Sequence, residues 1–279
     1  MPGGYTDAWE LCNGTAMGAL AGGGTTSQTI TAGSANVKGS WAQLIASTAS
    51  DVCWVAVNIV YPAAGGLSMA VDIGIGSAGN EVAIINNIIA SNFNVPNAEN
   101  FSFPLSIPAG TRVSARCQSG TGSDACYVSV TGFDGGFRQA EGAAGVDSIG
   151  FVSASTLGTL ITVAATLGVK GSYSQLSAST PRDYIGYFGS LDPQSGGNSI
   201  LGHWGYNDFD ISIGAAGSEV VIDPDISFGN PNNFMFVGLT GIPFRPIPIP
   251  AGTRIAARGQ CSDSSTVNTT FGLTLYGVY

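Results

Sequence analysis

A ten-residue stretch that occurs twice limits the folds open to this chain more than any other feature of its sequence. Ile107–Arg116 has the sequence IPAGTRVSAR and Ile249–Arg258 has IPAGTRIAAR, so eight of ten positions are identical. Two further blocks recur upstream in the same order: Lys38–Thr48 with Lys170–Thr180, and Asp72–Ile88 with Asp210–Ile226. Three ordered blocks indicate an internal duplication. A chain of 279 residues is long enough for two domains that each bury a core.

The composition around these blocks favours β-strands. The chain has 41 glycines and only 10% charged residues, and it lacks the long Glu-, Lys-, Ala- and Leu-rich runs of surface helices. The candidate strands of the first copy are Gln28–Ala32, Ser40–Ser47, Val52–Val60, Leu67–Ile75, Glu81–Ala90, Phe101–Ile107, Thr111–Gln118 and Cys126–Gly132. Eight short strands in one copy predict an antiparallel β-sandwich, most simply a jelly roll, with a closed barrel as the alternative. We therefore predict an all-β chain of two tandem, jelly-roll-like sandwich domains.

The repeats divide the chain into four parts. These are an N-terminal arm at 1–26, a first sandwich at 27–133, a linker at 134–147 and a second sandwich at 148–279. The Gly-rich arm either docks on a neighbouring molecule or adds a strand to its own domain, and the sequence leaves both open. Copy two is longer than copy one in two places, which predicts longer loops there because insertions are tolerated in loops.

The charge pattern bears on the class of partner. The net charge is −9 and no basic stripe exists, which argues against nucleic-acid binding through phosphate contacts. The sequence has no run of 18 apolar residues, so no membrane span is expected. The first residues lack the basic start and apolar core of a secretory signal. Few charges with 44% hydrophobic residues favour a surface covered by copies of the chain or by other proteins. A neutral secreted domain is the alternative.

Five cysteines occur at unmatched positions of the two copies: Cys12, Cys53, Cys117, Cys126 and Cys261. An odd, unmatched set argues against an inherited disulfide framework, and reduced thiols in a cytosol-made protein are expected. Cys117 and Cys126 flank one hairpin, and whether they pair is left open.

Specific charges are kept in both copies of this charge-poor chain. They are Arg112 with Arg254, Arg116 with Arg258, Asp72 with Asp210, and Glu81 with Glu219. We expect them to form arginine–carboxylate bridges at a strand end or at a domain or subunit contact.

Two other clusters have weaker signals. Asp208, Asp210, Asp223 and Asp225 could supply oxygen ligands to calcium, but their spacing does not match an EF-hand, so a solvated loop without metal is expected. His203, Trp204 and Tyr206 form an aromatic cluster in a lengthened loop of copy two. Such a cluster fills a core or interface, or contacts a glycan.

Catalytic patterns are missing from the sequence. His203 is the sole histidine, and no Ser-His-Asp or Cys-His spacing can be built around it. The Gly-rich segment after Asp72 lacks the lysine of a phosphate-binding loop. We therefore predict no enzymatic activity and no cofactor.

The repeated blocks KGSWAQLIAST, DIGIGSAGNEV and IPAGTRVSARCQ resemble segments of virion structural proteins of tailed bacteriophages. The resemblance covers about a quarter of the chain and implies sandwich or jelly-roll modules that work as head decoration, head fibre, tail or fibre components. It implies a virion protein made in the host cytoplasm, most simply a capsid decoration protein. The expected partners are further copies in a homotrimer and other virion proteins such as the major capsid protein. A tail or fibre module that binds a receptor or host surface glycan is the alternative.

Overall fold

The structure is a computed structural model that describes residues 14–17, 27–60, 67–92, 98–133, 143–192, 205–230, 240–261 and 268–279. Eighteen strands and no helix occur in this part of the chain. The first nine are β1 (Gly14–Met17), β2 (Gln28–Thr31), β3 (Ala42–Ile45), β4 (Trp54–Val60), β5 (Leu67–Ile75), β6 (Val82–Asn92), β7 (Ala98–Phe103), β8 (Val113–Ser119) and β9 (Ala125–Phe133). The second nine are β10 (Val146–Ile149), β11 (Thr159–Thr162), β12 (Ser174–Ser177), β13 (Gly186–Asp192), β14 (Gly205–Ile213), β15 (Val220–Asn230), β16 (Thr240–Arg245), β17 (Ile255–Cys261) and β18 (Thr270–Val278).

Each half folds into two facing sheets with the same strand order. The first half has β2-β9-β4-β7 over β3-β8-β5-β6, and the second has β11-β18-β13-β16 over β12-β17-β14-β15. This order is that of a jelly roll, and the facing sheets rule out the closed barrel for both halves. The predicted class, all-β with tandem antiparallel sandwiches, is confirmed. Each of the eight candidate strands of copy one overlaps one of β2 to β9, but Phe101–Ile107 shares only residues 101–103 with β7.

An additional short strand opens each half. β1 pairs antiparallel with Val130–Phe133 of β9, and β10 pairs in the same way with Leu275–Val278 of β18. Residues 14–17 of the proposed arm therefore add a strand to their own sandwich, and the second sandwich begins at Val146, inside the proposed linker. Residues 1–13, 18–26 and 134–142 lie outside the described part of the chain.

The same β10 also joins the two halves. Val146 of β10 pairs in parallel with Ile85 of β6, so one sheet of each sandwich merges into a continuous nine-stranded sheet. The two sandwiches are thus fused through backbone pairing as well as through the chain that connects them.

Alternating strands fill two cores. In β4 every second residue, Val55, Val57 and Ile59, is fully buried in the first core. The second core is more aromatic and contains Phe209 against Phe271 at a centroid distance of 5.8 Å. Burial of each such side chain contributes roughly 1.5–3 kcal/mol, which makes these alternating faces the main source of stability.

Aromatic residues of the second sandwich close an open edge of the first. Between β6 and β7 the first core would reach solvent, but Tyr276 and Phe188 pack edge-on against Phe103 at centroid distances of 6.0 and 5.5 Å. The Tyr276 hydroxyl also accepts a hydrogen bond of 2.8 Å from the N–H of Ile89 on β6. The interface therefore caps both the core and the backbone edge of the first sandwich.

The second sandwich closes its corresponding edge by itself. Asp223 and Arg245 occupy the positions in β15 and β16 that Ile85 and Phe103 occupy in β6 and β7. The Asp223 carboxylate accepts a hydrogen bond of 2.8 Å from Tyr187 and forms an ion pair of 3.1 Å with Arg245. A polar pair of buried Asp223 and half-buried Arg245 therefore lies where the first sandwich receives the aromatic contact.

Candidate functional site

The repeated charges meet on the outer face of the β5–β8 strand pair. Asp72 on β5 lies directly opposite Arg116 on β8, and its Oδ2 accepts a hydrogen bond of 2.9 Å from the arginine Nε. Its Oδ1 accepts a second bond of 2.6 Å from the Lys38 Nζ. The Asp72 side chain is only 2% exposed, so two cations are needed to offset the cost of burying its charge.

Copy two rebuilds this arrangement almost atom for atom. Asp210 on β14 accepts hydrogen bonds from the Arg258 Nε at 3.0 Å and from the Lys170 Nζ at 2.8 Å. Lys170 has a second carboxylate partner, Asp225, at 2.8 Å. The corresponding residue of copy one is the uncharged Asn87.

The buried aspartate also fixes a bulge in the neighbouring strand. Asn87 and Asp225 have left-handed backbone φ values of 52° and 50°, which short polar residues tolerate best. Their N–H groups donate to the Oδ1 atoms of Asp72 at 2.9 Å and Asp210 at 3.0 Å. Each aspartate therefore links a bulge, the facing strand and a lysine from the segment before β3 or β12.

An aromatic ring covers each network. The Arg116 guanidinium lies 4.4 Å from the Trp41 ring centroid, and that of Arg258 lies 4.6 Å from the Tyr173 ring centroid. Trp41 fits because its neighbour is Gly74, where a Cβ would come within 2.6 Å of the indole. The rings cover one side of the arginines and add a cation–π attraction.

The first arginine of each repeat, Arg112 or Arg254, holds the β-hairpin turn. Arg112 Nη1 donates to the Glu81 carboxylate at 2.7 Å and to the Gly76 carbonyl at 3.2 Å, and its Nε donates to Gln43 at 2.9 Å. In copy two, Arg254 makes the equivalent bonds to Glu219, Gly214 and Gln175 at 3.0, 3.0 and 2.9 Å.

The IPAGTR turn differs by one residue from the turn that its sequence favours. Pro at the second and Gly at the fourth position predict a type I turn, but Gly110 has φ of 79°, as the third position of a type II turn requires. The Thr48 hydroxyl explains the shift, because it donates to the Pro108 carbonyl at 2.7 Å and accepts from the Thr111 N–H at 3.0 Å. Copy two has the same bridge, from Thr180 to Pro250 and Thr253.

The pKa directions follow from these contacts. Burial alone would raise the pKa of Asp210, but hydrogen bonds from Lys170, the Asp225 N–H and Arg258 lower it. Burial lowers the pKa of Lys38 despite its bond to Asp72. The pKa of Lys170 is raised, because its two carboxylates outweigh the effect of burial. The second carboxylate at Lys170, Asp225, stands where copy one has Asn87 and contributes to the opposite directions of the two lysine pKa values.

The networks are structural in character. The eight predicted residues Arg112, Arg116, Arg254, Arg258, Asp72, Asp210, Glu81 and Glu219 all bond inside the fold. Each carboxylate is paired with a cation inside the fold, which suits it to fix strands and turns. Lys38, Lys170, Trp41, Tyr173 and Gln43 belong to the same networks and could be found from the repeated KGS(W/Y)xQ pattern.

The aspartates of copy two do not form the solvated loop that the sequence predicted. Asp208 and Asp210 lie in β14, Asp223 and Asp225 lie in β15, and each is bonded to a neighbour. In the described ranges no group of three or more His, Cys, Asp or Glu side chains is placed to share a metal ion. Nor does this part of the chain contain a helix able to span a membrane.

The predicted aromatic loop falls at the margin of the structure. His203 and Trp204 lie outside the described residues, and Tyr206 lies in β14 opposite Gly229. The contact predicted there, with a core, an interface or a glycan, stays a prediction.

Four cysteines are described, and all are free thiols. Cys117 and Cys126 lie in the first core, where the Cys117 thiol donates to the Ile30 carbonyl at 3.6 Å. Contact with Cys117 and burial raise the pKa of the Cys126 thiol. Cys12 lies outside the described residues.

Comparisons with known proteins identify no family. No protein-family profile and no curated protein matches the chain. Among solved structures, the CBM22-1–CBM22-2 tandem domain from Paenibacillus barcinonensis Xyn10C matches at 10% identity and a TM-score of 0.28, over 96% of this chain and 91% of that one. PNGF-II matches at 9% identity and a TM-score of 0.38, over 90% and 64%. PNGase F, a glycosylasparaginase from Flavobacterium meningosepticum, matches at 12% identity and a TM-score of 0.38, over 95% of both chains. Likenesses at this level carry no inference about activity or substrate.

Proposed function

We propose that this chain is a non-enzymatic structural subunit of a bacteriophage virion, most simply a capsid decoration protein. The observation that carries the proposal is the use of the duplicated charges. In both copies they are bonded inside the fold to bulges, turns and strand edges. A chain with few charged residues that uses the repeated ones to fix its own strands and turns fits a scaffold role.

The fused architecture supports the same proposal. A shared sheet and an aromatic interface make one rigid body of two jelly rolls. Jelly rolls occur in viral capsid proteins and in lectins, so the fold by itself does not choose between assembly and glycan binding.

Exposed apolar residues recur at equivalent positions of the two copies. Val82 and Val220 are 66% and 63% exposed, and Val37 and Val169 are 50% and 48% exposed. Single exposed valines are ordinary, but the same positions in both copies suit contacts with neighbouring subunits. A homotrimer that contacts the major capsid protein is the assembly we propose.

Immunogold labelling of purified particles tests the proposed location. Labelling distributed over the head is expected. Label confined to the tail tip would move the tail alternative to first place, and absence of label from intact and from disrupted particles would overturn the virion role.

The second candidate function is a tail or fibre module that binds a host surface glycan. The lengthened copy-two segment that contains His203, Trp204 and Tyr206 favours it, because aromatic rings stack on sugars. Loss of host-cell binding by Trp204→Ala, with no such loss in Trp54→Ala, would support this candidate.

A further inference from the structure

A polar cleft lies between the two sandwiches, on the side where β10 meets β6. Its volume is about 430 Å³, which falls within the usual range for small-molecule sites. The first sandwich contributes Asn86 and Asn87 from the β6 bulge, and the second contributes Asp147, Ser148 and Phe151 among others. Both domains therefore form its walls.

The charge of the cleft is balanced. Asp147 Oδ2 accepts a hydrogen bond of 3.1 Å from the Tyr184 hydroxyl and forms an ion pair of 3.0 Å with the Arg182 Nε. The Arg182 guanidinium is itself held 3.9 Å from the Tyr279 ring centroid. Burial and the neighbouring Asp147 raise the pKa of Tyr184, so its hydroxyl stays protonated as a donor. A balanced site favours a neutral ligand over an ionic one.

Several hydrogen-bonding groups remain available to a ligand. Both contacts of Asp147 use Oδ2, which leaves Oδ1 facing no described partner. The half-buried amide of Asn86 bonds to no other described residue. The Ser148 hydroxyl accepts from the Asn87 amide at 3.0 Å and keeps its own proton to donate. The half-buried Phe151 ring supplies an apolar face beside these polar groups.

Comparison of the two halves shows that the jelly roll does not require this cluster. The positions of Asp147, Arg182 and Tyr184 correspond to Thr15, Ser50 and Val52 in the first half, which forms the same strand joint without them. Asn86 corresponds to Pro224 in β15. The ion pair and the cleft amide are therefore particular to this junction, unlike the networks around Asp72 and Asp210.

We propose that the cleft between the sandwiches binds a small neutral saccharide. Amide, carboxylate and hydroxyl groups match the alternating donors and acceptors of sugar hydroxyls, and an aromatic ring matches the apolar face of a pyranose. A ligand there would touch both domains. The proposal stands apart from the virion role, because it concerns a site that either a head or a tail protein could carry.

The saccharide proposal is tested by titrating the full chain with glucose, galactose, N-acetylglucosamine and maltose. Binding is followed by ligand-observed NMR and by calorimetry. At least one of these sugars is expected to bind at a single saturable site, and glucuronate is expected to bind more weakly. Asn86→Leu should weaken binding about tenfold or more, because the sugar group that bonds to the amide would be left without a hydrogen-bond partner. Asn100→Leu removes an amide from a second cleft between the sandwiches and is the matched control, expected to change affinity less than about twofold.

Phe151→Leu is a second variant in case Asn86→Leu is poorly folded, and weaker binding is again expected. Absence of binding by all four neutral sugars at ~10 mM would overturn the proposal. So would a preference for glucuronate, or equal loss of affinity in the Asn86 and Asn100 variants.

Discussion

At the scale of single residues, the two buried aspartates organise the described fold. Asp72 and Asp210 each receive two cationic side chains and one backbone N–H. Because the carboxylates are almost fully buried, removal of their charge leaves the cations without compensation, and that penalty exceeds the value of the pair itself.

Asp72→Asn is therefore expected to lower the free energy of unfolding by about 3–5 kcal/mol, measured by urea denaturation. Asp225→Asn is the matched control. Asp225 is 68% exposed, and the change installs the residue type found at its copy-one equivalent, so a loss of about 0–1 kcal/mol is expected. Equal effects of the two substitutions would show that burial of the charge is not what matters.

The acidic side chains also predict a pH dependence. The pKa values of Glu81 and Glu219 are lowered: burial opposes this, while Arg112, Arg254 and nearby N–H groups outweigh it. A lowered folded-state pKa stabilises the fold above the unfolded-state pKa of about 4.3, and that stability is lost as the pH falls further.

We expect the free energy of unfolding to decline as the pH falls from about 5 to 3. The double variant Glu81→Gln, Glu219→Gln should show a shallower decline over this range, with lower stability at neutral pH. An unchanged slope in chemical denaturation series would contradict the assignment of these two carboxylates.

At the scale of elements, the sequence predicts strands better than their ends and partners. The strands of copy one could be found because apolar residues alternate between Gly-, Pro- and Asn-containing turns, and this pattern depends on local geometry. The sequence favours a turn one residue away from the observed turn at Ala109–Gly110. The difference arises because the Thr48 bridge comes from a residue far along the chain. The bulge at Asn87 and the merging of β10 with β6 depend on long-range contacts that no local pattern records.

The threonine bridge leads to a test at this scale. Thr48→Val keeps shape but removes the hydroxyl that links the Pro108 carbonyl to the Thr111 N–H, and a loss of about 2 kcal/mol is expected. Thr162→Val, at an exposed strand position, should be nearly neutral. Thermal denaturation of both variants checks the difference, and a neutral Thr48→Val would show that the turn needs no bridge.

At the scale of the whole molecule, the two halves share a strand order but differ in how the open edge of each sandwich is covered. The first sandwich depends on Tyr276 and Phe188 of the second to cover its open edge, whereas the second closes its own edge with Asp223 and Arg245. The duplicated blocks predicted the shared strand order. The asymmetry lies outside those blocks or at positions where the copies differ, so the sequence alone did not indicate it.

This asymmetry predicts how the domains unfold. The intact chain should unfold in a single calorimetric transition, because the shared sheet and the aromatic contact couple the two cores. Tyr276→Ala removes the ring and the hydroxyl that binds the Ile89 N–H, and two separate transitions are expected, with the first sandwich melting earlier. Tyr276→Phe keeps the ring and should retain a single transition. Two transitions in the unaltered chain would contradict the coupling.

We propose that this double jelly roll is built into a particle in many copies. Quantitative mass spectrometry of gradient-purified virions tests it most directly, by the ratio of this chain to the major capsid protein. We expect a fixed ratio that is reproducible between preparations, with a number of copies per particle that is a multiple of three. A chain that is absent from the particles, or present at a ratio that varies between preparations, would contradict it.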